Sequence, residues 1–186
     1  MNILIPMAGL ATRFVKEGID TPKPLIVVNG KALIEHTLET LNLEGNYIFV
    51  TRTYDKPEDN ARLSAMLQRL RPGSREIRLE APTRGAVETC LAARKWIDND
   101  EELIITNCDQ RTEWDSAAFL AHVQAHQSDG TVVTHESNEV KHSYAEVHLP
   151  NKVSRIVEKQ VISHDALIGI HYWRRGIAFV QSADDL

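Results

Sequence analysis

Short apolar runs of strand length alternate with stretches of helical period over the first two thirds of the chain, and this alternation constrains the fold more than any other feature. Residues 2–6 (NILIP), 46–51 (NYIFVT), 75–80 (REIRLE) and 102–108 (ELIITNC) read as strands. The last is continuously apolar at its centre, as a strand buried on both faces would be. Between them Leu33, Ile34, Thr37, Leu38 and Leu41 recur at helical spacing, as do Leu63, Met66, Leu67 and Leu70. Val87, Cys90, Leu91 and Ile97 predict a third helix, and residues 115–126 a fourth with Phe119, Leu120 and Val123 on one side. Strands and helices in this order specify an α/β protein with a mainly parallel sheet.

The pattern changes near residue 130. "GTVVTH" reads as a strand. In "YAEVHL" polar Glu146 and His148 alternate with Ala145, Val147 and Leu149, which predicts a half-exposed strand. "PNK" supplies a turn at 150–152, "VSRIVEK" the returning strand and "ALIGIHYW" another, so the last third is a β-rich excursion with antiparallel pairing. No repeat, linker or low-complexity segment interrupts the chain, so residues 1–186 are expected to form a single domain. A helix starts in "RRGIAFVQSADDL" just before the end, and the domain is expected to lack its C-terminal part.

The 186 residues suffice for one hydrophobic core, and 42% hydrophobic with 25% charged residues fits a globular protein. No apolar run approaches the roughly 20 residues that span a membrane. "MNILIPMAG" has no basic region of the kind that opens a signal peptide. Cys90 and Cys108 are too few for a disulfide scaffold and sit in or beside apolar runs, so both are expected as buried free thiols. A cytoplasmic location is expected, with no membrane partner. The net charge of −5 argues against nucleic acid as a partner, so any anion site must be built from a few placed cations.

Those cations stand near the N-terminus. In "NILIPMAGLATRFVKEGIDTPKPLI" a strand runs into small residues, Ala8, Gly9, Ala11 and Thr12, followed by Arg13 and then by Lys23 between Pro22 and Pro24. Small residues after a strand let backbone N–H groups approach a phosphate. Arg13 can grip a terminal phosphate with two donors, and Lys23 is a compact charge on a stiff backbone. The loop matches neither GxGxxG nor GxxxxGK[ST].

With these residues in view, the chain resembles the sugar-phosphate nucleotidylyltransferases, or NDP-sugar pyrophosphorylases. The signature of that family is a strand, then G-x-G-[TS]-R, then P-K-[PA]-[LM], then a helix opened by a G-K-P-[LM]-I-like stretch. Here the pieces stand in order as "LIPMAGLATRF" and "TPKPLIVVNGKALIEHTLETL". The resemblance implies a Rossmann-like three-layer sandwich of the nucleotide-diphospho-sugar transferase type. It implies that Met7, Ala8, Gly9, Leu10, Ala11 and Thr12 bind nucleotide. "LEAPTRGAVETCLAA" is similar to the family's base-binding element, with Glu80 and Gly85. "LIITNCDQ" is similar to its metal-binding strand end, with Asp109 for Mg²⁺. "HSYAEV", "IVEKQ" and "IGIHYW" resemble the acceptor elements, which carries that role to Tyr144, Glu158, Lys159 and Gly169.

The implied reaction joins an NTP to a sugar 1-phosphate or similar phosphorylated acceptor and releases pyrophosphate, a step of nucleotide-sugar biosynthesis such as supplies cell-surface polysaccharide. Such a transfer is catalysed by positioning and charge neutralisation. Arg13 would hold the β- and γ-phosphates, Lys23 the charge building on the α-phosphate, and Lys159 the incoming phosphate. A homo-oligomer is compatible with all of this.

The chain departs from the family pattern at several positions. Ala11 replaces a loop glycine, at a cost on the order of 1 kcal/mol if φ there is positive. Ala145 and Gln160 replace the glycine of the Tyr-Gly pair and the proline after Glu-Lys. Glu80 stands where many uridylyl- and thymidylyltransferases have glutamine. An ionised carboxylate only accepts hydrogen bonds, which favours the amino group of cytosine first and guanine second.

Two other readings stand beside this one. A nucleotide-sugar-dependent glycosyltransferase would carry Asp-x-Asp where this chain has Asp109-Gln110-Arg111, and a sensor would bind nucleotide without turning it over. His122 and His126 lie four apart without the glutamate of a zinc-protease helix, and read as a solvated face.

Overall fold

The computed structural model describes residues 1–148 and 151–186. From β1 (Asn2–Pro6) the chain passes through α1 (Thr12–Lys16) and a 3-10 turn at Lys23–Leu25 to the hairpin β2 (Val27–Val28) and β3 (Lys31–Ala32). Then come α2 (Leu33–Leu41), β4 (Asn46–Arg52), α3 (Pro57–Leu70), β5 (Arg75–Leu79), α4 (Ala86–Leu91), α5 (Arg94–Ile97), β6 (Leu103–Thr106) and α6 (Ser116–His126). The last third holds β7 (Gly130–Glu136), β8 (Tyr144–His148), β9 (Lys152–Val157), β10 (Asp165–Trp173) and α7 (Gly176–Asp184).

The main sheet runs β5-β4-β1-β6-β10-β8-β9, with β7 also paired to β10. The four strands β5, β4, β1 and β6 are mutually parallel. β10 joins β6 antiparallel, so the β-rich last third continues the same sheet. Successive side chains of a strand point to opposite faces, and β1 distributes its residues accordingly. Ile3 and Ile5 enter one core with Phe49, Leu38, Leu63, Leu67 and Phe119, from α2, α3 and α6. Leu4 enters the other with Ile48, Val50, Cys90, Ile97, Phe179 and Val180, from α4, α5 and α7. This is the expected three-layer α/β sandwich.

Three local expectations are revised. The helical pattern over 87–97 splits into α4 and α5, because the turn tightens where Ala93 N–H donates to the Cys90 carbonyl at 2.9 Å. That bend brings both Ala93 and Ile97 to 0% exposure. β6 ends at Thr106, and Asn107 to Gln110 leave the sheet. In β8 the alternation fails: Tyr144 and Ala145 are both buried while Val147 is exposed, since the ladder to β9 shifts register between Glu146 and Val147. Leu149 and Pro150, part of the expected strand and turn, lie outside the described residues. The helix foreseen after residue 173 is α7. It docks so closely that a Cβ on Gly176 would meet the Ile97 carbonyl.

Both cysteines are buried free thiols, with pKa pushed up to about 12 by burial. Neither is a thiolate nucleophile near neutral pH. His171, between β6 and β7 on β10, has its pKa lowered by burial. The unfolded chain therefore binds one more proton than the fold once pH drops below about 6.5. Stability carried by neutral His171 is full above that pH and lost as pH falls toward the depressed value. Urea midpoints should decline from pH 7.5 to 5.5, and His171→Gln should flatten this decline.

Candidate active site

The carboxyl ends of the parallel strands, where ligands bind in open α/β sheets, carry most of the residues singled out in the sequence. β1 is bonded on both sides until its ladder ends, where Met7 N–H donates to the Val50 carbonyl at 2.8 Å. Met7 and Ala8 remain buried, while Gly9 and Leu10 are exposed. Among the described residues, the next four backbone N–H groups, Ala8 to Ala11, find no protein acceptor. A run of unmet donors beside a strand end suits an anion, because an unsatisfied amide is costly unless water or a ligand meets it.

Ala11 has φ 52° and ψ 36° and caps α1, which itself buries no residue. The backbone thus keeps the left-handed geometry a glycine would take, and Ala11 bears the strain. Arg13 and Thr12 project from α1, and with Ala11, Phe14, Lys23 and Asp109 they line one open cleft of about 590 Å³.

Lys23 is placed by its neighbours. Pro24 and Leu25 are buried, and Leu25 N–H closes the 3-10 turn onto the Pro22 carbonyl at 2.8 Å. The Lys23 ammonium meets Asp109 Oδ2 at 2.5 Å, each side chain being 29% exposed. The expected cation and the expected metal ligand are therefore partners across the cleft floor.

The Asp109 loop is clamped from two sides. Thr37 of α2 accepts from Gln110 N–H at 3.2 Å and donates to the Gln110 carbonyl at 3.1 Å. Opposite, Gly169 (φ 79°) lies in the stretch of β10 where the register shifts, and a Cβ there would stand 2.1 Å from Asn107 Nδ2. Glycine is required at 169 by both space and conformation. Its place beside the Asp109 loop puts it at the site's edge.

Glu80 follows β5 on the same edge, exposed, and Gly85 caps α4 in a fully extended conformation with open space over its Cα. They lie at the carboxyl end of the sheet, with β4 between β5 and β1.

One acceptor assignment is revised, and Lys159 with Glu158 stands apart. Tyr144 is 0% exposed, and its hydroxyl donates to the Glu139 carbonyl at 2.8 Å, so it offers no surface to a ligand and acts as core packing. Gly169 acts through the shape of the Asp109 loop. Glu158 and Lys159 lie on the exposed turn after β9, paired with each other at 2.6 Å, and are not among the residues lining the Lys23–Asp109 cleft.

Sequence reasoning missed two residues. Thr37 was legible only as part of the α2 apolar stripe. Arg52, the last residue of β4, lies over the Tyr54 ring at 4.4 Å and has a buried Nε without a partner. Its register mate is Leu79, the residue before Glu80. A lone arginine at a strand end carries no pattern that would have marked it.

Asp109 is a single hard carboxylate in an open cleft, which fits Mg²⁺ shared with substrate phosphates. Among the described residues, no group of three or more His, Cys, Asp or Glu side chains could hold a metal by itself. His122 and His126 stack at 4.1 Å on the surface of α6, as a solvated face allows. No described helix is long and apolar enough to cross a membrane.

The fold is a Rossmann-like three-layer α/β domain with a cationic cleft at the carboxyl ends of its parallel strands. The profile of the family described as "MobA-like NTP transferase domain" matches residues 3–166, and the chain belongs to that family. A mannose-1-phosphate guanyltransferase of Neurospora crassa is 28% identical over 165 residues, covering 87% of this chain and 45% of that protein. The namesake of Schizosaccharomyces pombe is also 28% identical, over 171 residues. The chain thus spans about half the length of the curated relatives it matches. A nucleoside-diphosphate-sugar pyrophosphorylase structure from Vibrio cholerae superposes with TM-score 0.78 at 22% identity, covering 98% of this chain and 77% of that one. UDP-glucose pyrophosphorylase complexed with UDP-glucose gives 0.70 at 17%, covering 93% and 75%. Both show the shared fold.

Ala11→Gly should relieve the left-handed strain and raise stability by up to about 1 kcal/mol, read as a higher urea midpoint at unchanged slope.

Proposed function

We propose that the domain transfers a nucleotidyl group from an NTP to a sugar 1-phosphate and releases pyrophosphate. The observation that carries this is one cleft lined by Ala11, Arg13, Lys23 and Asp109, next to the unbonded N–H groups of the β1 loop. Family membership and the names of the matched relatives support it.

An acceptor phosphate oxygen attacks the α-phosphorus in line, and the bond to the bridging oxygen of the β-phosphate breaks. The β1 loop amides and Arg13 bind the phosphates that leave as pyrophosphate. Lys23 neutralises charge on the α-phosphate, for which it must exchange Asp109 for the substrate. A partly exposed ion pair costs little to exchange. Asp109 would hold Mg²⁺, which when bound supplies further neutralisation of phosphate charge.

Glu80 favours a base with an exocyclic amine, and either cytosine or guanine meets that requirement. The relatives' names support guanine. Arg52, at the end of β4 with Leu79 as its register mate, would suit guanine O6 and N7 if its donors reach the base.

Pyrophosphate release should be measured for the four common NTPs against a panel of phosphorylated acceptors. GTP or CTP with a hexose 1-phosphate should be fastest; a clear preference for UTP or dTTP would refute the role given to Glu80. Lys23→Ala should lower the rate by about 10²–10³-fold while nucleotide still binds. If Lys23→Ala kept the wild-type rate, this mechanism would fail. Transfer of sugar from a nucleotide sugar without pyrophosphate would instead identify a glycosyltransferase.

A further inference from the structure

A second cleft, of about 690 Å³, opens at the opposite end of the parallel strands. Asn2, Asn46 and Arg75, which begin β1, β4 and β5, line it together with Lys95 and Trp96 of α5. β1 places this cleft roughly 16 Å from the nucleotide loop, five residues along a strand. The volume is that of a small-molecule site.

Its cations are arranged unusually. Arg75 Cζ lies 5.0 Å and Lys95 Nζ 5.6 Å from the centroid of the same Trp96 ring. Among the described residues, neither makes an ion pair with a carboxylate. A third cation, Arg71, forms a fixed wall. It lies over Tyr47 at 4.7 Å and donates to the Leu70 and Leu38 carbonyls. Two acids face the same space, Glu44 and Glu101, and Glu101 is already engaged by the terminal amine at 3.7 Å. In a chain of net charge −5, a lining with three cations, Arg71, Arg75 and Lys95, against two acids, Glu44 and Glu101, is a local positive excess that an anion would relieve.

We propose that this cleft binds a small phosphate-bearing molecule, its phosphate held between Arg75 and Lys95 at the edge of Trp96. Arginine supplies a planar fork for phosphate oxygens and lysine a point charge. Glu44 and Asn46 remain for hydroxyl groups on the rest of the ligand. The site is independent of the proposed transfer, because its residues touch the other end of the sheet.

Inorganic phosphate is the probe, titrated calorimetrically and by tryptophan fluorescence into the chain, into Lys23→Ala and into Arg75→Gln/Lys95→Gln. Saturable binding should survive in Lys23→Ala and weaken at least about tenfold in the double variant, with a fluorescence change that Trp96→Phe abolishes. Arg75→Lys/Lys95→Arg, which keeps both charges, should retain binding and so separates lost recognition from lost folding. The proposal is overturned if no saturable phosphate binding occurs, if all of it disappears in Lys23→Ala, or if the double Gln variant binds as the parent does.

Discussion

The whole arrangement depends on β1 being hydrogen-bonded on both sides. It is flanked by β4 and β6 in parallel, and its side chains feed both cores, so it cannot shift without disturbing every layer. Its ladder ends at Met7, and among the described residues the backbone donors from Ala8 to Ala11, next to the cleft, find no protein acceptor. A rigid strand that stops abruptly delivers unmet N–H groups to a fixed place, which is what an anion site requires. The loop and α1 themselves bury almost nothing beyond Ala8 and belong to the low-stability end of the molecule.

Around that loop, the charged groups are positioned from behind. Buried Leu25 anchors Lys23, and Thr37 with Gly169 grips the segment that carries Asp109. Trp114 and Ser116 extend the clamp by donating to the Thr40 and Asn42 carbonyls of α2 and its cap. Helix α2 thus holds the loop after β6 as well as covering the sheet. The Lys23–Asp109 pair adds little stability at its exposure. It sets two opposite charges side by side in one cleft.

The two ends of the parallel strands contrast in chemistry. At the carboxyl ends, cations stand beside backbone donors and Lys23 has a carboxylate partner to exchange. At the amino ends, Arg75 and Lys95 rest on an indole face without one. Parallel strands impose this polarity, since every crossover helix returns the chain to the same starting edge.

Much of this was written in the chain itself. Apolar runs of strand length alternating with helical stripes determined the α/β class, because a buried parallel strand and an amphipathic helix need different periods. Gly9, Arg13, Lys23 and Asp109 could be picked out because their types and order match chemistry that tolerates few substitutes. Tyr144 could not be judged that way. A tyrosine reads alike whether its hydroxyl meets a ligand or the Glu139 carbonyl, and only packing sends it inward. The split of α4 from α5 arose from Ala93 and Ile97 both reaching the core, a demand made by the sheet and absent from local periodicity. Thr37 and Arg52 became visible only when distant segments met, as did the close approach of Asn107 that requires glycine at 169. Sequence spacing carries the identity of groups that act alone; tertiary structure decides which backbone and side-chain groups stand opposite one another, because those distances depend on every layer between them.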